Sequence, residues 1–218
     1  VPSNPWVAGI GNLYTQDFYR SCRAKLNPGG VIMQWLNLYA MSPRDLQIVL
    51  RTFSSVFPEG QLWSLGGDLA LVGGSSAANL DGLKRYYASS SYLRLELADL
   101  GMLRPEQILG AYACPLSYAI KGAPDVPLNT DDRPCLEYSA PFSLYSVGHY
   151  SANLAWAHSL RTGYNALPPG LQASPQIDLA ASLGSLLYTQ FYAARTPAQT
   201  VPGWSELALL FSGGQPSQ

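Results

Sequence analysis

The sequence predicts an α/β fold, a parallel sheet finished by an antiparallel hairpin. Three observations predict it. The run Val31-Ile32-Met33-Gln34-Trp35-Leu36 is short and almost wholly apolar, which reads as a strand central in a sheet. Helical patterns precede and follow it. Gln61-Leu62-Trp63-Ser64-Leu65 and Asp68-Leu69-Ala70-Leu71-Val72 then flank Gly66-Gly67, two strands joined by a tight glycine turn. Helix, strand, helix, strand, turn and strand in that order is the pattern of such a sheet.

The elements follow from local chemistry. Pro2-Ser3-Asn4-Pro5-Trp6 reads as a loop leaving the carboxyl end of a buried strand, although no strand precedes it in this sequence. Ligands of open α/β sheets sit at those carboxyl ends, so the chain is expected to open inside a crevice. Tyr14, Phe18, Cys22 and Leu26 recur every four residues and predict a helix. Thr15 is its expected N-cap, and Phe18 and Tyr19 start its buried face. Asn27-Pro28-Gly29-Gly30 ends it, because Pro cannot continue a helix and Gly accepts the left-handed closing conformation. Ser42-Pro43 opens the next helix with a cap and a Pro at the first position. That helix runs to about Val56, with Leu46, Val49, Leu50 and Phe53 inward, and Phe57-Pro58-Glu59-Gly60 breaks it.

Beyond the hairpin the pattern is helical, over Asp81–Tyr87, Ser91–Leu100 and, briefly, Pro105–Tyr112. Asn129-Thr130-Asp131-Asp132-Arg133-Pro134 reads as a polar turn, and Cys135-Leu136-Glu137-Tyr138 as a strand. From Tyr150 onward Ala, Leu, Ser and Tyr dominate. Helices are expected over Ser151–Arg161, Pro175–Arg195 and Trp204–Phe211. The chain divides accordingly into a sheet part (1–74), a region completing that domain (75–145) and a helical extension (146–218).

Composition bounds the function. The chain has 218 residues, 47% of them hydrophobic, enough for one to two domains with a core. Only 12% are charged, about half the usual share. Such a surface is either covered by another segment or partner, or simply rich in Ser, Gly and Pro. A net charge of −1 without a Lys/Arg run excludes the electrostatic footprint of a nucleic-acid binder. Cys22, Cys114 and Cys135 are odd in number and widely spaced, which argues for buried thiols and against disulfides or zinc. No apolar run of membrane-spanning length and no signal peptide is present, so the chain reads as cytoplasmic.

The sequence also resembles a known family. Pro2–Trp6, Leu13-Tyr14-Thr15, Asp17-Phe18-Tyr19, Asn27–Gly30, Gln34-Trp35, Tyr39, Thr52-Phe53 and Val56-Phe57-Pro58 resemble the spermidine-synthase-like proteins of bacteria. Asn129–Pro134, followed by Leu136-Glu137-Tyr138 and Ala140-Pro141, is similar to a later signature of the same group. The resemblance covers residues 2 to 141. It implies the C-terminal half of a class I methyltransferase-like (Rossmann-like) sheet ending in an antiparallel hairpin, with an α-helical extension. In that family the aminopropyltransferase domain is often fused to membrane helices. The intact protein is then expected to be tethered to the inner membrane, with this chain docking on those helices.

The implied chemistry is transfer of an aminopropyl group, or less commonly a methyl group, from an S-adenosyl cofactor to a small-molecule amine. The cofactor is decarboxylated S-adenosylmethionine or S-adenosylmethionine. An amine attacks a carbon beside a sulfonium, and carboxylates orient the cationic amine and take its proton. In the family an Asp-Ser-Ser-Asp-Pro-like loop does this. Here Val1-Pro2-Ser3-Asn4-Pro5 stands in its place, with neutral Asn4 at the second carboxylate position. The glycine-rich adenosine loop and the ribose-binding acid would lie upstream, so the chain is expected to need that half or a partner chain. A non-catalytic binding or interaction module derived from the fold is the alternative.

The candidate substrate-binding residues are Asn4, Trp6, Gln34, Tyr39, Asp131 and Asp132. Asn4 and Trp6 face a substrate amine or, alternatively, form a turn with a core anchor. Gln34 and Tyr39 leave the next strand beside the same crevice. Asp131 and Asp132 are adjacent acids that suit a diamine or Mg²⁺, or else form a capped turn with Arg133. His149 and His158 stand nine apart and read as surface or packing residues. Gly9-Ile10-Gly11 reads as a flexible entry to the first helix.

Overall fold

The computed structural model describes residues 4–64, 67–74, 80–99, 101–121, 125–146 and 148–160. The helices expected over Pro175–Arg195 and Trp204–Phe211 lie outside the described residues.

A 3-10 turn, Ile10–Tyr14, leads into helix α1, Gln16–Lys25. Thr15 caps α1 as expected: its hydroxyl accepts the Phe18 N–H at 3.1 Å. Tyr19 is fully buried on its inner face. Strand β1 spans Val31–Asn37. Helix α2, Pro43–Val56, starts at Ser42, whose Oγ accepts the Asp45 N–H at 3.0 Å. Leu46, Val49, Leu50 and Phe53 are all buried on it, so the predicted helix face is the real one.

Strands β2, Gln61–Ser64, and β3, Asp68–Gly74, form the expected hairpin. The fold is mixed α/β, but every neighbouring strand pair is antiparallel, which corrects the parallel expectation. The α2 crossover does return β2 in the direction of β1. The glycine turn, however, folds β3 back between them, so the order is β1-β3-β2-β4. Nor is β1 central: it is an edge of the described sheet, with Val31 and Met33 exposed by 53% and 67%.

Helices α3, Leu80–Ser89, and α4, Ser91–Asp99, and a 3-10 helix, Pro105–Ala111, match the helical readings. Strand β4, Tyr112–Pro115, has no counterpart in them. It pairs with β2 through a bulge between Leu62 and Trp63. A one-turn helix α5, Leu116–Ala119, follows.

Cys135–Tyr138 is not a strand but the start of helix α6, Cys135–Ser143. Its buried residues Leu136, Ala140 and Ser143 follow helical spacing, and a four-residue window hid that period. Helix α7, His149–Ser159, ends the described chain.

One apolar cluster joins these parts. Tyr19 meets Phe53 edge to face at 5.0 Å, and Phe53 meets Phe57 at 4.9 Å. Leu36, Leu69 and Leu71 back them from the sheet, and Leu136 and Ala157 close the cluster from α6 and α7. Each fully buried Leu contributes about 2 kcal/mol of transfer free energy. Burial also decides the thiols: Cys114 is buried, Cys22 and Cys135 are partly so, and all three are free. No described helix is long and apolar enough to cross a membrane.

Candidate functional site

The candidate site lies at the carboxyl end of β1, where four segments meet. The entry loop is the first. Val7 N–H donates to Asn4 O at 3.0 Å and Ile10 N–H to Val7 O at 2.9 Å, winding residues 4–10 into successive turns. Gly9 takes φ 78° at the end of this loop, a conformation natural to glycine. The Glu137 carboxylate grips it there, accepting the Gly9 N–H at 2.9 and 3.2 Å. A Cβ on Gly11 would come within 3.0 Å of Glu137 Oε2, so the loop and α6 fit closely.

The loop after β1 is the second segment. Asn37 donates from Nδ2 to Tyr39 O, and Ala40 is held left-handed at φ 47°, a strained state for a residue with a Cβ. Asn153 on α7 holds this bend, donating to Leu38 O at 2.9 Å and Met41 O at 2.8 Å. The third and fourth segments are the start of β3 and the start of α7. The Tyr150 hydroxyl lies 3.0 Å from where a Gly67 Cβ would stand, so the first turn of α7 packs against Gly67, next to the start of β3.

Trp6 and Tyr39 meet across the first two segments, ring centroids 5.9 Å apart and 63° inclined. Beside them is Asp68, which faces Asn37 across the β1–β3 ladder. Alternation along strands puts Trp35, Asn37 and Asp68 on one sheet face. Trp35 hydrogen-bonds the Asp68 carboxyl group. Burial pushes the Asp68 acid up from its ordinary range, and that hydrogen bond pulls partly the other way. Burial likewise raises the Tyr39 phenol, and the negative charge of Asp68 adds to it.

Seven buried polar atoms of the described residues have no hydrogen-bond partner, and three of them, Tyr19 OH, Gln47 Oε1 and Glu106 Oε2, lie on other elements. Asn4 Oδ1, Asn37 Oδ1 and Asp68 Oδ1 are buried with no hydrogen-bond partner. All three are acceptors. A buried unpaired acceptor costs about 1–3 kcal/mol, so three on neighbouring segments are a standing demand for donors. His149 Nδ1, next to Tyr150, is a further buried atom without a partner.

Trp6 and Tyr39 are brought into contact, with Asn4 two residues before Trp6 on the same loop, while Gln34, Asp131 and Asp132 stand elsewhere. Gln34 lies on the opposite sheet face, 4% exposed, donating to Trp35 O at 3.1 Å. It also hydrogen-bonds Tyr14, whose phenol burial raises to about 12. Asp131 and Asp132 are exposed on a turn closed by reciprocal Thr130–Arg133 backbone bonds. The Asp131 N–H donates to Asp17 Oδ2 at 3.0 Å.

The residue of that motif with the most structural work is Asn129, fully buried. Its Nδ2 donates to Gly11 O at 3.2 Å and Tyr14 O at 3.1 Å. Its Oδ1 accepts the Leu136 N–H at 3.2 Å, and its own N–H donates to Thr52 Oγ1 at 3.0 Å.

Asp68, Asn37 and the α7 contacts escaped the sequence reading. The one available signal was Asp68 itself, the single acid between the glycine turn and the apolar run Leu69–Val72. Among the described residues no cluster of His, Cys, Asp and Glu suits a metal ion. Comparison of the chain with protein-family models, with curated proteins and with solved structures gave no match in any of the three.

Proposed function

We propose that the chain is the amine-binding part of a spermidine-synthase-like transferase, with the crevice at the carboxyl end of β1 as its amine site. One observation carries this: three buried acceptor oxygens without donors, one of them on a carboxylate, beside an aromatic pair. A protonated amine has three N–H donors, a positive charge and an alkyl stem, and each finds its complement here. Strands β1 and β2 running the same way, with the returning β3 between them, support the class I methyltransferase-like reading of the sheet.

The residues fit the amine and not the cofactor. An S-adenosyl group needs a glycine-rich strand–loop–helix and an acid for its ribose. Gly9 and Gly11 instead open a 3-10 turn held by Glu137. The cofactor, which supplies the transferable group, belongs to an upstream half or a partner chain in this reading. The chain's own residues then bind and orient the amine: Asp68 balances its charge, Asn4 and Asn37 accept its N–H groups, and Trp6 and Tyr39 flank its stem.

Titrating the full chain with small alkylamines, read by tryptophan fluorescence with Trp6→Phe as reference, tests the amine site. Saturable binding that Asp68→Asn weakens at least tenfold is the expected result. Binding unaffected by Asp68→Asn, or none at all, would sink the reading. A second reading, a non-catalytic interaction module, has one observation in its favour: the exposed Val31 and Met33 on β1, an edge strand among the described residues. It predicts concentration-dependent self-association in sedimentation and no amine binding.

A further inference from the structure

We infer that the crevice selects a singly charged alkylamine over a diamine. The inference rests on the amine-site reading and names its substrate class. The argument is a count of charges. Of the three acceptors without donors, only Asp68 carries one; Asn4 and Asn37 present carboxamide oxygens. Asn37 and Asp68 face each other across the ladder, the three acceptors equal in number the N–H groups of one ammonium, and one carboxylate balances its single charge. Asn37 is fully buried, so its free oxygen has no water to turn to.

A second ammonium on the same molecule would need a second carboxylate, and the buried Asp45 and the loop-bound Glu137 are already engaged. Glu137 is bound to the Gly9 N–H. Asp45 is buried and accepts from Ser42 Oγ at 2.8 Å, Ser139 Oγ at 2.5 Å and Ser143 Oγ at 3.4 Å. Asp131 and Asp132 stand exposed on the turn beside Asp17. What remains beyond the ammonium is aromatic, Trp6 against Tyr39. That surface favours an alkyl stem and penalises a second charge stripped of its water.

Asn4 is the residue that sets this preference. A carboxylate there would add a second charge with little change in shape.

The test compares butylamine with 1,4-diaminobutane on the full chain, by the same fluorescence titration, in wild type and in Asn4→Asp. Butylamine is expected to bind at least as tightly as the diamine to wild type. Asn4→Asp is expected to shift the ratio toward the diamine by about tenfold. A wild-type preference for the diamine of tenfold or more would overturn the inference while leaving the amine site standing. An unchanged ratio in Asn4→Asp would overturn the role of Asn4 in the same way. Binding of neither amine to wild type would remove the amine site itself, and the inference with it.

Discussion

Asn37 and Asp68 face each other across the β1–β3 ladder, and each has a buried oxygen with no donor. The arrangement has a measurable cost without a ligand. Burial raises the Asp68 acid above its ordinary value of 3.8, so the folded chain holds that proton more tightly than the unfolded one. Folding then takes up a proton, and stability falls as pH rises from about 4 through the raised folded value. Asp68→Asn mimics the protonated acid at every pH. It is expected to melt at a higher temperature than wild type near neutral pH, with the gain shrinking as pH falls to about 4. Thermal melts across that range decide it. A lower melting temperature at neutral pH would contradict the assignment.

Asn129 is expected to matter for stability and not for binding chemistry. It joins the 3-10 turn, the start of α1, α2 and α6 through side-chain and backbone bonds. Asn129→Ala strands the Gly11 and Tyr14 carbonyls and the Leu136 N–H together. The loss is expected to be about 3 kcal/mol by denaturant unfolding. Asp131→Ala, two residues on and exposed, is expected to change stability by less than about 0.5 kcal/mol.

Much of this was legible in the sequence. Thr15, Ser42 and Pro43 announce helix starts by local chemistry, and Leu46, Val49, Leu50 and Phe53 announce a face by period. Both signals are confined to one turn or one helix. The insertion of β3 between β1 and β2 is a long-range choice that no local pattern records, so the parallel expectation failed there. The same choice pairs Asn37 with Asp68, which is why half the candidate site was invisible. Cys135–Tyr138 failed for another reason: Leu136 and Tyr138 alternate as a strand would, and only Ala140 and Ser143 reveal the helix.

Gly73 tests the strand packing. A Cβ built on it would stand 2.6 Å from Phe57 Cγ, far inside contact distance. Phe57 is fully buried between Phe53 and the sheet and has no room to withdraw. Gly73→Ala is expected to cost about 2 kcal/mol or more. Phe57→Leu alone is also destabilising, but combined with Gly73→Ala it is expected to cost less than the sum. Strict additivity in the double-mutant cycle would show that the two sites do not press on each other.

Glu137 links the stability of the fold to the candidate site. Its carboxylate accepts the Gly9 N–H, five residues after Asn4 and three after Trp6. It also sits at the amino end of the 3-10 turn, where a negative charge is favoured. Glu137→Ala removes the acceptor and releases the loop that carries both site residues. The Gly9 amide is expected to exchange with solvent about tenfold faster, the equivalent of about 1.4 kcal/mol. Glu137→Gln keeps one acceptor oxygen without the charge and is expected to fall between. Amine binding should weaken in the same order, because Asn4 and Trp6 then have to be ordered by the ligand. Unchanged exchange at Gly9 in Glu137→Ala would show that the loop is held by its turns alone, and Glu137 would then have no bearing on the site.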